Sequence, residues 1–330
     1  SLLAATVARI EPLVRARDVH VVTTTDMVDA ILDRVPALRR PQIIAEPLGR
    51  NTAPCVALAY HSVVAGLRRR GWGAARIDDA VLIILPADHH ITAPARFLAA
   101  LRAAVVHARA ARCFVTLGVP PDHLSTAYGY IERGPEALAG DGPAFPGVRF
   151  VEKPDAERAA GYLATGRFLW NAGLFVVRLG TLRDAFLRHA PALWTALAPL
   201  ADVTDAEERG RRAREAYASI EPVAFDVAIM ERLPGFRVIP ADVGWTDLGS
   251  WRAVHEVLPR DASDNAVAAG GRRVVVQDTR GSLVWSEDAE VAVIGLEGVA
   301  VICSGGRVLV CPLEQAQAVR DAAKAMSDGT

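Results

Sequence analysis

Two aspartates stand where the chain could do chemistry. One closes the apolar run Val81-Leu-Ile-Ile-Leu-Pro-Ala-Asp88-His-His90. The other lies between tryptophans in Gly244-Trp-Thr-Asp247-Leu-Gly-Ser-Trp251. A strand stopped by a proline delivers its next residues to the carboxyl end of a sheet, where open α/β folds bind ligands. A carboxylate there is a hard donor for a cation such as Mg2+, which brings phosphates with it. From spacing alone a turn or helix-capping role for Asp88 has about equal standing. Asp247 is the natural second carboxylate, and its alternative is a tight, aromatic-packed turn. His89 and His90 alternate sides, whereas zinc needs convergent ligands, so they are expected to support the turn.

Other segments carry polar groups at element ends. In Glu46-Pro47-Leu-Gly49-Arg50-Asn51-Thr52-Ala53-Pro54 a strand gives way to a helix. Gly49 permits close backbone approach, and the helix start offers free N–H groups to an anion or a base edge. Asn51 or Thr52 would serve equally as a helix cap. In Val151-Glu-Lys-Pro-Asp155, Glu152 and Lys153 are expected on opposite faces of a strand end. Lys153 suits a phosphate and Glu152 suits hydroxyl groups, although a surface ion pair reads the same. Asn171, in Trp170-Asn-Ala-Gly-Leu-Phe-Val-Val-Arg178, can both donate and accept, as a sugar contact or in a turn. Asp226 is expected to cap or open a short helix.

The elements that must position these groups alternate over the first 120 residues. Strand patterns in Asp18–Thr24, Pro41–Pro47, Ala80–Asp88 and Cys113–Val119 alternate with helical patterns. The helices are capped by Asp26 in one case, begin near Asn51 in another, and run from Pro94 in a third. A further helical pattern opens the chain, over Ser1–Val14. Arg68-Arg69-Arg70 reads as a solvated last helical turn, with a phosphate patch the lesser alternative. Consecutive apolar positions in the strands predict a doubly wound α/β fold with a mostly parallel sheet, covered on both faces. Between Tyr128 and Ile239 strands and helices continue, with a charged helix in the region 203–220. Beyond Asp261 the texture becomes short apolar strands between Gly, Asp and Ser turns, predicting an all-β tail, as a stacked coil or small β-sandwich, closed by a helix over 313–326. These patterns place a catalytic domain at 1–260 and a β-rich domain at 261–330.

Composition narrows the function classes. The 330 residues are 51% hydrophobic and 23% charged, enough for a globular core, and the net charge of −1 gives no field that attracts nucleic acid or an acidic membrane. No apolar run nears the roughly 20 residues of a membrane span, and no signal peptide is recognisable. Cys55, Cys113, Cys303 and Cys311 are scattered without C-x-x-C spacing. They read as free thiols of a reducing, cytoplasmic compartment.

Taken in order, the segments at 46–54, 85–91, 128–134, 151–155, 170–178, 225–232 and 244–251 resemble the successive signatures of the mannose-1-phosphate guanylyltransferase family. The β-rich tail is similar to that of its single-function members, and the chain ends too soon for the isomerase domain of bifunctional ones. The resemblance implies a Rossmann-like nucleotidyltransferase fold. It implies Mg2+-dependent, in-line attack of mannose 1-phosphate on the α-phosphorus of GTP, giving GDP-mannose and pyrophosphate. It further implies that Asp88 and Asp247 hold the metal, and that Glu46, Pro47, Gly49, Arg50, Asn51, Thr52 and Ala53 read guanine. Tyr128, Gly129, Glu132, Glu152 and Asn171 would meet mannose, and Lys153 its phosphate. Members of the family often dimerise, which makes a second copy a candidate partner.

The segment 85–90 has Ala87 where members commonly have Ser, and Thr246 likewise replaces Ser. The family begins with a strand and a Gly-rich phosphate loop, and the sequence opens on the helix expected after them. The sheet is therefore expected to be opened, or grooved, beside a central position. Two other readings follow: a nucleotidyltransferase for another base or sugar 1-phosphate, and a non-catalytic sugar-nucleotide-binding or regulatory chain.

Overall fold

The structure, a computed structural model, describes residues 1–139, 142–203, 205–319 and 322. The chain divides into two compact units, Ser1–Trp245 and Thr246–Thr330.

The first unit is built on a six-stranded sheet. In spatial order its strands are Val81–Ile84, Phe168–Arg178, Val115–Val119, Phe236–Pro240, Phe145–Val151 and Tyr130–Arg133, the last also pairing with the start of Phe168–Arg178. The long strand Phe168–Arg178 organises it by alternation. Phe168, Trp170, Ala172, Leu174 and Val176 enter one core, with Phe97, Leu101, Ala104 and Ala108 of helix Pro94–Ala111. Leu169, Phe175 and Val177 enter the other, with Val56, Tyr60 and Val64 of helix Thr52–Arg69. Both faces are thus covered, as the apolar runs require.

The expected parallel sheet is corrected. Within this sheet only Val115–Val119 and Phe236–Pro240 run parallel among the described strands, and the long strand is antiparallel to all its neighbours. An apolar run reports burial on two faces but not direction, so it could not separate a mixed sheet from a parallel one.

The expected helix at 27–35 forms as Val28–Arg34, but its N-cap is Met27, and Asp26 lies in a preceding 3-10 turn. Helix Thr52–Arg69 is capped by Asn51, whose side chain accepts from the Thr52 N–H at 2.8 Å.

Val21–Thr24 and Ile43–Glu46 form a separate parallel pair. A cleft of about 2110 Å3 is lined by this pair, by Val81–Ile84 on the edge of the large sheet, and by Pro86, Asp88, Gly173 and Asp226.

In the second unit, Ala266 pairs in parallel with Leu283 and Leu283 with Ala300, while Val274 pairs with Val291. Each coil therefore advances 17 residues, the separation at which Ser282 N also bonds Asn265 Oδ1. The tail is a stacked coil and not a sandwich. Arg307–Pro312 ends it by turning back antiparallel on Val299–Ser304 through Gly305 and Gly306, both with left-handed φ. Helix Trp251–Val257 belongs here because Trp251, Val254 and Leu258 pack on Ala266, Leu283 and Ala300. Of the expected closing helix, Leu313–Ala318 is a 3-10 helix, and most of the rest lies outside the described residues.

Candidate active site

Asp88 follows Val81–Ile84 by four residues and is exposed at the cleft. The turn behind it is held from another segment. The Thr92 and Ala93 N–H groups donate to the Gly244 and Val243 carbonyls, and Trp245 Nε1 donates to His89 Nδ1 at 3.0 Å. His89 therefore supports the turn, as its spacing suggested. Asp247 belongs to the second unit, where its Oδ1 accepts the Gly249 N–H at 3.0 Å. Among the described residues no three His, Cys, Asp or Glu side chains converge as a metal cage. An exposed carboxylate at the cleft still fits Mg2+, which is commonly held by one or two carboxylates with substrate phosphates and water.

A second group converges around Gly129. The Gly129 carbonyl accepts from Asn171 N at 2.8 Å, and a Cβ on Gly129 would lie 2.6 Å from Glu152 Oε2 and 3.3 Å from Asn171 Cβ. Asn171 is aimed by a bulge. Between the pairs Thr116–Phe175 and Gly118–Asn171, Leu117 alone lies opposite Ala172, Gly173 and Leu174, and Gly173 has φ +62°. There Asn171 Oδ1 accepts the Gly173 N–H at 2.9 Å, and its Nδ2 donates to Asp226 Oδ1 at 2.8 Å.

Lys153 was expected on the face opposite Glu152. Its φ of +44° instead turns it back, and Lys153 Nζ lies 3.3 Å from Glu152 Oε1. Glu231 accepts the Glu152 N–H at 3.2 Å and secures this turn. Tyr128 stands edge-on to Trp170 and Trp245, at 5.0 and 5.2 Å between ring centroids.

Two of the expected contacts have partners within the protein. The Glu132 carboxylate is paired with both Arg149 and Arg167, each at 3.1 Å. Glu46 is buried and accepts from Tyr217 Oη at 2.8 Å. Burial pushes its carboxyl above the usual range, while the tyrosine bond opposes that. Burial also pushes the neighbouring Cys55 thiol up to about 12, which makes it inert. Around Glu46, Arg50 Nε donates to the Tyr217 carbonyl, Thr52 Oγ1 accepts the Phe225 N–H, and Ala53 N donates to the Val223 carbonyl. The capping role of this turn is thus realised. Gly49 remains open, with no heavy atom within 4 Å of an added Cβ.

Asp226 was expected to cap or open a short helix, and it opens one: it lies in the first turn of Phe225–Ala228, whose N-cap is Ala224. Its carboxyl is pushed up to about 6, first by burial and then by the Glu152 charge. The reading of the sequence gave Asp226 no ligand role, and Trp170 and Glu231 went unnoticed. The only signal for Asp226 was its place in a recognisable segment.

The Nucleotidyl transferase family model matches residues 4–264. The chain belongs to that family. Residues 271–325 of this nucleotidyl transferase match a MannoseP isomerase/GMP-like beta-helix domain, in accord with the 17-residue coils. The chain is 35% identical over 281 residues to the mannose-1-phosphate guanylyltransferase of Escherichia coli (strain K12), covering 84% of this chain and 56% of that protein. It is 36% identical over 286 residues to that of Sinorhizobium fredii, covering 86% and 53%. It thus spans about half the length of these curated relatives. A crystal structure described as mannose-1-phosphate geranyltransferase from Thermus thermophilus aligns with a TM-score of 0.83 and 31% identity, covering 99% of this chain and 89% of that one. Among the described residues no helix is long and apolar enough to cross a membrane.

Proposed function

We propose that this nucleotidyl transferase transfers the guanylyl group of GTP to mannose 1-phosphate, giving GDP-mannose and pyrophosphate in the cytoplasm. The observation that carries the reading is the convergence of Glu152 and Asn171 on Gly129, where an added Cβ would collide with Glu152, with Lys153 paired to that same carboxylate. Such a site offers hydroxyl acceptors, a two-way amide and a cation for phosphate over a bare backbone. The curated relatives named for mannose 1-phosphate and guanylyl transfer support the choice of substrates.

An oxygen of the sugar phosphate attacks the α-phosphorus in line. The new P–O bond forms as the bond to the β-phosphate breaks, and pyrophosphate leaves with the electron pair. The chain's part is positioning and charge neutralisation. Lys153 holds the sugar phosphate, and Glu152 and Asn171 orient the ring. The turn from Glu46 to Ala53 lies on the nucleotide side, with Gly49 as its open face. Bound Mg2+ would offset phosphate charge, with Asp88 a carboxylate to hold it; Asp247, in the second unit, is proposed as a metal ligand in its own right.

The test is direct. Pyrophosphate release is followed with mannose 1-phosphate and Mg2+ against GTP, ATP, UTP and dTTP, and mannose 1-phosphate binding is titrated separately. Binding of mannose 1-phosphate that Lys153→Ala abolishes, with release favouring GTP, supports the reading. Absence of mannose 1-phosphate binding overturns it.

A further inference from the structure

Asp226 stands apart from the groups assigned above to metal, nucleotide or sugar. Its carboxylate makes no cap bond to its own helix, whose N-cap is Ala224. It lines the cleft with Pro86, Asp88 and Gly173 and, on its other side, accepts from Asn171 at 2.8 Å. It therefore joins the cleft to the group of side chains around Gly129. In-line transfer needs the two substrates to meet at such a junction.

Its surroundings are costly for folding. A half-buried carboxylate faces a second one, Glu152, with Lys153 the cation that opposes the repulsion. The fold gains from this a bond to Asp226's own backbone N–H and one to an amide that the Gly173 N–H already holds from its other end. Charge arrangements that stability does not call for are concentrated at functional sites. Two acceptor-only groups beside a fixed amide match donors on neighbouring carbons, which is the chemistry of sugar hydroxyls.

We propose that Asp226 is a sugar-binding and positioning residue: its carboxylate takes one hydroxyl of the sugar 1-phosphate and, by holding the Asn171 amide, sets how Asn171 meets a second. The inference rests on the reading that a sugar 1-phosphate binds over Gly129. Both roles follow from one geometry. Asp226 Oδ1 fixes Asn171, while the carboxylate as a whole lies on the cleft wall.

The experiment titrates mannose 1-phosphate and its monodeoxy analogues, one missing hydroxyl at a time, into the wild type, Asp226→Ala, Asp226→Asn and Glu152→Gln. Inorganic phosphate is the control ligand. Asp226→Ala is expected to weaken mannose 1-phosphate roughly 10- to 100-fold and Asp226→Asn roughly 3- to 10-fold. Inorganic phosphate should change less than about twofold, because Lys153 is untouched. The deciding readout is the analogue series. One deoxy compound binds the wild type poorly and loses less in the Asp226 variants than mannose 1-phosphate itself does, because its direct contact is already gone and only the setting of Asn171 is left to lose. A purely structural role would weaken every analogue by one factor, and that result overturns the proposal. So does wild-type binding by both Asp226 variants alongside loss in Glu152→Gln, which leaves the sugar site itself standing. Wild-type binding by all three variants removes the sugar site and the proposal with it. If Asp226→Ala does not fold, the analogue series on Asp226→Asn decides alone.

Discussion

Asn171 Nδ2 donates to Asp226 Oδ1 at 2.8 Å, joining residues 55 positions apart in the chain. The bond ties a bulged strand of the large sheet to a four-residue helix that lines the cleft. Neither element would hold its side chain alone. The bulge brings the Gly173 N–H onto Asn171 Oδ1, and the short helix has too few internal bonds to be rigid.

The first consequence is a stability that falls as pH rises. The Asp226 carboxyl goes from an ordinary value of 3.8 to about 6 in the folded protein. Below about pH 4 it is protonated whether folded or unfolded. Between 4 and 6 the unfolded chain releases the proton while the folded one keeps it, so stability is lost as pH rises through the folded value. The full difference is about 3 kcal/mol, and water in the cleft reduces it to about 1–2 kcal/mol. Asp226→Asn should therefore be more stable than wild type by about 1–2 kcal/mol at pH 8 and equal to it near pH 4. Urea denaturation at the two pH values checks this, and a less stable variant at pH 8 refutes it.

A methyl group on Gly129 should separate binding from folding. The Cβ of Gly129→Ala would lie 2.6 Å from Glu152 Oε2, the far end of a flexible side chain. The fold can absorb that by a rotamer change of about 1 kcal/mol. The sugar site cannot, because the carboxylate moves off its position. Mannose 1-phosphate affinity should drop roughly tenfold or more while unfolding shifts by less than about 1 kcal/mol. Calorimetric titration beside a denaturation curve tests the split, and unchanged affinity would count against this placement of the sugar.

Much of this was legible because strand ends and helix starts follow local rules. Pro86 stopping an apolar run, Asn51 capping a helix and the two-face burial of Phe168–Arg178 all express chain chemistry within a few residues. Strand direction was not legible, since it depends on how the chain returns and not on what any strand contains. The 17-residue coil repeat was obscured because equivalent positions share burial and not identity, as with Ala266, Leu283 and Ala300. The partners of Glu132 and Glu46 come from residues 17 to 171 positions away. A carboxylate's spacing says nothing about whether a guanidinium or a tyrosine will claim it. The sequence placed Asp226 at the start of a short helix, but its partners Asn171 and Glu152 lie 55 and 74 positions away and left no local signal.

Tyr217 and Glu46 give a prediction with the same pH sign at a different place. Tyr217 is fully buried, and its hydroxyl is the donor that opposes the desolvation of Glu46. Tyr217→Phe leaves that carboxyl buried without its donor, so it holds a proton to a still higher pH. The variant should lose about 1–3 kcal/mol at pH 8. It should lose less near pH 4, where the carboxyl is neutral in the folded and unfolded chains. Guanidinium denaturation across that range measures both. A loss independent of pH would mean the hydroxyl contributes through packing and not through Glu46.

Asp88→Asn separates a metal ligand from a turn residue. Asp88 is exposed, so removing its charge should leave the fold intact. Without a divalent ion, an anion beside a triphosphate is repulsive, and the amide should bind GTP as well as the wild type or better. With Mg2+ present the sign reverses, because the carboxylate then supplies an oxygen ligand and offsets the ion's charge. The wild type should gain affinity for GTP on adding Mg2+, and Asp88→Asn should lose most of that gain, roughly tenfold or more. Titrating GTP into both proteins with Mg2+ and with a chelator gives the four numbers needed. An equal loss under both conditions would show that Asp88 acts by shaping the turn that Trp245 and His89 hold.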